Sequence, residues 1–156
     1  MVYKRILVAL AGRENEGPVI HEAVRLADAL GAELRATHVN APKAGKPSMK
    51  MDTPPLTTEE DIRNQFRMAG FDALADEIDV LILSGYPMAK EIARASVECD
   101  LLVVGHRRKN RYLSVLTPSV SKNLTDRVSC PVLVVPRGLA EELATSAETR
   151  TVAPVS

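Results

Sequence analysis

Short, wholly apolar runs separated by longer stretches of helical spacing dominate the pattern of this chain. Ile6-Leu7-Val8-Ala9-Leu10 is the first run and has no polar position. A half-wet strand would alternate, so this one reads as buried on both faces, as in a parallel sheet. Gly12 closes it. Gly17-Pro18 marks a helix start, because the first turn has no use for the N–H that proline lacks. Ile20, Ala23, Val24, Ala27 and Leu30 then follow at helical spacing, with Gly31 as the stop. A second strand is read over residues 33–39.

Residues 40–55 hold four prolines and several lysines without apolar periodicity, which predicts a long mobile loop. Thr57 with Glu60 three residues on predicts a capping box. The helix it opens runs to about residue 75 and buries Ile62, Phe66, Ala69 and Leu74, with Gly70 weakening or kinking its middle. A third strand is read at 79–83, and Gly85-Tyr86-Pro87 turns into a helix bearing Met88, Ile92, Ala95 and Cys99. The fourth strand, 101–104, ends at Gly105. After a basic segment, Thr117-Pro118 opens a helix carrying Val120, Leu124 and Val128. The fifth strand, 131–136, is bracketed by Pro131 and Pro136, which suits a sheet edge. Residues 1–137 are thus expected to form one α/β domain, and 138–156 a short helical turn and a flexible tail.

Five strands joined by helical crossovers predict a doubly wound parallel sheet with both faces covered. Ligands of such sheets bind beyond the carboxyl ends of the strands, where strand order reverses. The strands closed by Gly12 and Gly105 are the candidates for that crevice.

Composition narrows the function. Twenty Lys+Arg balance twenty Asp+Glu over 156 residues, which argues against general electrostatic capture of nucleic acid or an anionic membrane. Two Phe, three Tyr and no Trp are too few for a base-stacking platform. Cys99 and Cys130 match no zinc or redox spacing and read as free thiols. The apolar run after Lys4 and Arg5 is too short for a leader, and no run approaches the roughly 20 residues of a membrane span, so a cytoplasmic location is expected.

Several segments together resemble the universal stress protein family. They are Ile6 to Leu10 before Gly12, Gly31-Ala32-Glu33-Leu34 leading to His38-Val39, Gly85-Tyr86-Pro87, and Asp100-Leu101-Leu102-Val103-Val104-Gly105. The most specific is Ser129-Cys130-Pro131-Val132-Leu133-Val134-Val135-Pro136. The resemblance implies a flavodoxin-like, nucleotide-α-hydrolase-like sandwich of strand order 3-2-1-4-5. It also implies a stress-linked regulatory role and a homodimer through the last strand, Val132, Leu133, Val134 and Val135.

ATP-binding members of that family carry Gly-x-x-Gly after the fourth strand, then nine residues and Gly-Ser or Gly-Thr. Gly105 matches the first glycine and Ser119 the hydroxyl, but Arg108 and Pro118 stand at the other glycines. Ala11 stands where those members carry an acid, and Arg13 where a Ser is common. A phosphate cradle needs backbone N–H groups and close approach, and Pro118 has no N–H to give. The motif is degenerate, and ordinary ATP binding is not expected.

The segment His106-Arg107-Arg108-Lys109-Asn110-Arg111 nevertheless sets four cations beside an expected helix N-terminus, a combination that favours anions. With Gly12, Gly105, Ser119, Val120 and Ser121, Arg107 and Arg108 form the candidate set for a phosphorylated ligand. The alternatives for the basic segment are solvation or pairing with acids of a partner subunit. His21 is read as solvent-facing and His38 as a packed, hydrogen-bonded imidazole. No metal-ligand spacing, nucleophile elbow or base-paired nucleophile is present, so neither catalytic residues nor a resident cofactor are expected. The leading expectation is a regulatory or adaptor protein with an unnamed protein partner. A binder of a nucleotide or other phosphorylated small molecule is the alternative, and slow ATP hydrolysis on the same scaffold comes third.

Overall fold

β1 (Arg5–Ala9) is the middle strand of a five-stranded parallel sheet of order β3-β2-β1-β4-β5. Its neighbours are β2 (Glu33–Asn40) and β4 (Leu101–His106), with Ile6 opposite Leu34 on one side and Leu101 on the other. β3 (Asp79–Ser84) and β5 (Val132–Pro136) form the edges. The computed structural model describes residues 3–12, 16–42, 44–45, 55–106 and 124–136.

Alternation along β1 divides the core in two, since successive side chains of a strand point to opposite faces. Ile6, Val8 and Leu10 pack with α1 (Gly17–Leu30), α2 (Glu59–Met68) and α3 (Asp72–Glu77). Leu7 and Ala9 pack with Ala89 and Ile92 of α4 (Met88–Ala95), and with Leu124. Phe66 is the largest fully buried side chain. Both faces are covered, which is why the first run needs no polar position. No helix among the described residues is long and apolar enough to cross a membrane.

Four boundaries differ from the sequence reading. Gly70, at φ 95°, breaks the expected long helix into α2 and α3 instead of kinking it. Such a φ strains any residue with a Cβ, and Gly70 N–H closes the turn on the Arg67 carbonyl at 2.9 Å. The capping box lies one residue later than expected. Thr58, with extended φ and ψ, caps α2, and its partner is Asp61 in place of Glu60. Thr57 is unable to serve because its backbone N–H and C=O are held by the Asn40 side chain. Asn40 in turn belongs to the end of β2, not to the following loop, and pairs with Ser84. β4 likewise continues through Gly105 to His106. The helix expected from Thr117-Pro118 lies mostly outside the described residues; at its end Leu124 is fully buried and Val128 packs beside it. The tail 138–156 lies outside them as well.

The amino end of the sheet is fastened by one carboxylate. Asp100, immediately before β4, accepts the Lys4 and Arg5 backbone N–H groups on Oδ2 at 2.8 and 3.0 Å. Its own N–H returns to the Arg5 carbonyl at 2.8 Å. The bond from Lys4 N–H, seconded by that from Arg5, holds the Asp100 carboxyl below its ordinary value. A group depressed on folding contributes stability above the unfolded pKa and loses it as pH falls through the folded one. Asp100→Asn should therefore melt lower than the parent at neutral pH, with the gap closing on acidification. Thermal melts taken from about pH 7 to about pH 3 check this; a gap that stays constant contradicts it.

Candidate functional site

Strand order reverses between β1 and β4, so the crevice lies where the chain leaves β1 at Leu10, Ala11 and Gly12. Leu10 N–H still reaches the Thr37 carbonyl of β2 at 2.9 Å. Gly105, one residue beyond the pair Ala9 and Val104, borders the crevice from β4. Gly12 then turns at φ 72°. A Cβ there would stand 2.7 Å from Thr57 Oγ1 and 3.0 Å from His38 Cε1. Glycine is therefore required twice, by its φ and by the closeness of two neighbours.

Below Gly12 lies a buried polar cluster from four elements. Glu16, only 2% exposed at the mouth of α1, turns its side chain back so that Oε1 accepts Ala11 N–H at 3.0 Å. His38 and Asn40, 5% and 4% exposed, point from the end of β2 to the same face as Leu34 and Ala36. The His38 ring contacts the Leu10 carbonyl through Nδ1 at 2.7 Å and Asn40 Oδ1 through Nε2 at 3.2 Å. Asn40 donates from Nδ2 to the Thr57 carbonyl at 2.8 Å and accepts Thr57 N–H on Oδ1 at 3.0 Å. Buried polar groups are costly unless bonded, and this relay binds the ends of β1 and β2 to the entry of α2.

An open cleft of about 600 Å³ adjoins the cluster, lined by Gly12, Glu16, Thr57, Asp61, Asn64 and Met68 among others. Two carboxyl side chains and no cationic one line it among the described residues. The Asp61 carboxyl is held below its ordinary value by the Thr58 N–H and then the Thr58 hydroxyl. Its charged side chains are carboxylates, set beside the neutral polar side chains of Thr57, Asn64 and Gln65.

Of the candidate residues, Gly12 and Gly105 border the crevice from adjacent strands, β1 and β4. Arg107, Arg108, Lys109, Asn110, Arg111, Ser119, Val120 and Ser121 lie outside the described residues, as does Arg13. Val132, Leu133, Val134 and Val135 form the outer edge of the sheet, where Val134 is 39% exposed. His38 is the packed, bonded imidazole expected, and His21 is exposed with its ring edge-on to Phe71 at 5.0 Å. Cys99 and Cys130 are free, and burial pushes both thiols up. Sequence reasoning missed Glu16 and Asn40. Polar residues at the first position of a helix and the last of a strand were signals, but an apolar-run reading treats both as loop.

Together the strand order, the reversal at β1 and β4 and the covered faces define a flavodoxin-like, nucleotide-α-hydrolase-like sandwich. More particularly, the chain belongs to the universal stress protein family, whose model matches residues 2–136. It is 26% identical over 161 residues to the stress response protein NhaX of Bacillus subtilis strain 168, covering 84% of this chain and 96% of that one. A crystal structure of a universal stress protein in complex with cAMP superposes with TM-score 0.60 at 24% identity, covering 88% of this chain and 99% of the other. The universal stress protein UspA from Lactobacillus plantarum gives TM-score 0.58 at 21% identity, covering 86% and 99%.

Gly12→Ala should cost about 1–2 kcal/mol for the left-handed backbone and about 1–3 kcal/mol more for the overlap with Thr57 and His38. Urea denaturation measures the sum; a variant as stable as the parent would show that the turn tolerates a Cβ.

Proposed function

We propose that this chain is a non-catalytic regulatory or adaptor member of its family whose crevice does not bind ATP in the ordinary way. The observation that carries this reading is the Glu16 carboxyl on the Ala11 amide. An anion seated at the end of β1 would compete for that N–H with the protein's own side chain, which already takes it. Phosphate sites are made of free amides at helix starts, supported by cations, whereas the adjoining cleft offers Glu16 and Asp61. The substitutions Arg108, Pro118 and Ala11 in the family's motif act in the same direction.

A second reading, a nucleotide or other phosphorylated small molecule in the modified crevice, is favoured by the relative crystallised with cAMP and by the cations at 107, 108, 109 and 111. A ligand with a single phosphate asks less of the amides than a triphosphate and can be met by guanidinium groups alone. Calorimetric titration with Mg²⁺ and ATP should show no binding tighter than about 100 μM, or roughly −5.5 kcal/mol. Low-micromolar ATP binding overturns the leading reading. In a thermal-shift series with cAMP, other nucleotides and inorganic phosphate, any shift should vanish in the Arg107→Ala, Arg108→Ala double variant if the second reading holds. A shift that survives the double substitution removes the basic segment from the site.

The regulatory reading includes a homodimer. Among the described residues β5 has β4 on one side only, and Leu133, Val134 and Val135 present an apolar run along its other edge. An uncharged edge strand pairs with another unless it is covered, and pairing with its own copy closes at two subunits. Light scattering at micromolar concentration should return twice the chain mass of 16.9 kDa; a monomer there refutes the edge as the interface.

A further inference from the structure

The His38 ring lies between two acceptors. A carbonyl oxygen only accepts, so Nδ1 must carry a proton to face Leu10 O at 2.7 Å. Nε2 faces Asn40 Oδ1, and the Asn40 amide is fixed by Thr57. Turning it over would set its NH₂ against Thr57 N–H and its oxygen against Thr57 C=O, losing the bonds of 3.0 and 2.8 Å. Oδ1 is therefore an acceptor, and the second contact is a hydrogen bond only when Nε2 also carries a proton. A neutral imidazole has one N–H and serves one partner; the imidazolium serves both.

We propose that His38 is a protonation-dependent clasp: doubly protonated, it ties the end of β1 through Asn40 to the entry of α2, and deprotonated it releases the Asn40 side. Charged groups stand on the elements around it. From α1, Glu16 accepts the amide of Ala11, the residue next to Leu10. From α2, Asp61 binds Thr58, the residue next to Thr57. α4 packs on the opposite face of the sheet from His38; its Glu91 lies where a Cβ on Gly85 would meet it, and Gly85 N–H reaches the Asn40 carbonyl at 3.2 Å. Arg94, 3.7 Å from Glu91, is the counter-ion of that carboxylate. On β2 itself Arg35 is paired with Glu33 at the other end of the strand. The shorter Leu10 bond keeps the remaining proton on Nδ1, so the ring stays attached to β1 in either state. What changes with pH is how firmly Thr57 is held against Gly12, and thus the wall of the cleft that these two residues share.

The test uses the full chain labelled with ¹⁵N. Long-range proton–nitrogen spectra of the His38 ring between about pH 5 and about pH 8 should show both nitrogens protonated at the acid end, and Nε2 alone losing its proton as pH rises. The exchange protection of the Thr57 amide, corrected for the intrinsic pH dependence of exchange, should fall about tenfold over the same step, the scale of one charge-assisted bond. In His38→Gln that protection should no longer depend on pH. Asn40→Asp, which gives the ring a carboxylate partner, should move the step to higher pH, and it provides the readout if His38→Gln does not fold. A ring that stays neutral throughout, or one that titrates while Thr57 protection is unchanged, overturns the proposal.

Discussion

Everything in this fold is referred to a strand with no free side. β1 is paired to β2 and β4 along both edges, and its side chains enter both halves of the core, Ile6 and Val8 one way and Leu7 and Ala9 the other. A strand so enclosed has no tolerance for slippage, because a shift of one residue would exchange the two cores. Polar bonds then fasten its two ends. Asp100 does this at the amino end, with two bonds to the N–H groups of Lys4 and Arg5. His38 does it at the carboxyl end, on the Leu10 carbonyl. The crevice is the place where this fastened strand finally turns away.

Much of the architecture was legible in the sequence because it rests on local signals. Uninterrupted apolar runs gave the strands, Pro18 and Gly31 bounded α1, and Gly70 announced a weakness that became a break. The polar cluster was less legible for a physical reason. Its bonds join residues 10, 16, 38, 40 and 57, and only folding makes them neighbours. Thr57 illustrates the point. Its spacing to Glu60 satisfies a cap rule, yet the tertiary bonds to Asn40 claim its backbone and pass the cap to Thr58 and Asp61. His38 was read correctly as a bonded core imidazole, whereas its partners were beyond any spacing rule.

The described wall of the cleft and the sequence that follows β4 differ in charge. That wall carries the Glu16 and Asp61 carboxyl groups and no cationic side chain among the described residues. The sequence beyond β4 carries Arg107, Arg108, Lys109 and Arg111. This division also explains why family membership alone does not fix the ligand: the scaffold is set by the apolar runs, and the selectivity by a few polar side chains at strand ends.

The pair of hydrogen bonds between Asn40 and Thr57 has an effect on the chain that connects them. Because both ends of that connection are pinned side by side to the body of the sheet, its length is largely uncoupled from the rest of the molecule. For a flexible loop, doubling the number of residues adds only about 0.6 kcal/mol to the cost of closure. The stretch between these two anchors would thus take an insertion with β2 and α2 left in position, provided that buried Ala44 and the contact of Gly45 with Leu56 are kept. It is the natural point in this chain for acquiring a new recognition sequence, and the point at which a reporter peptide can be carried with least disturbance to the fold.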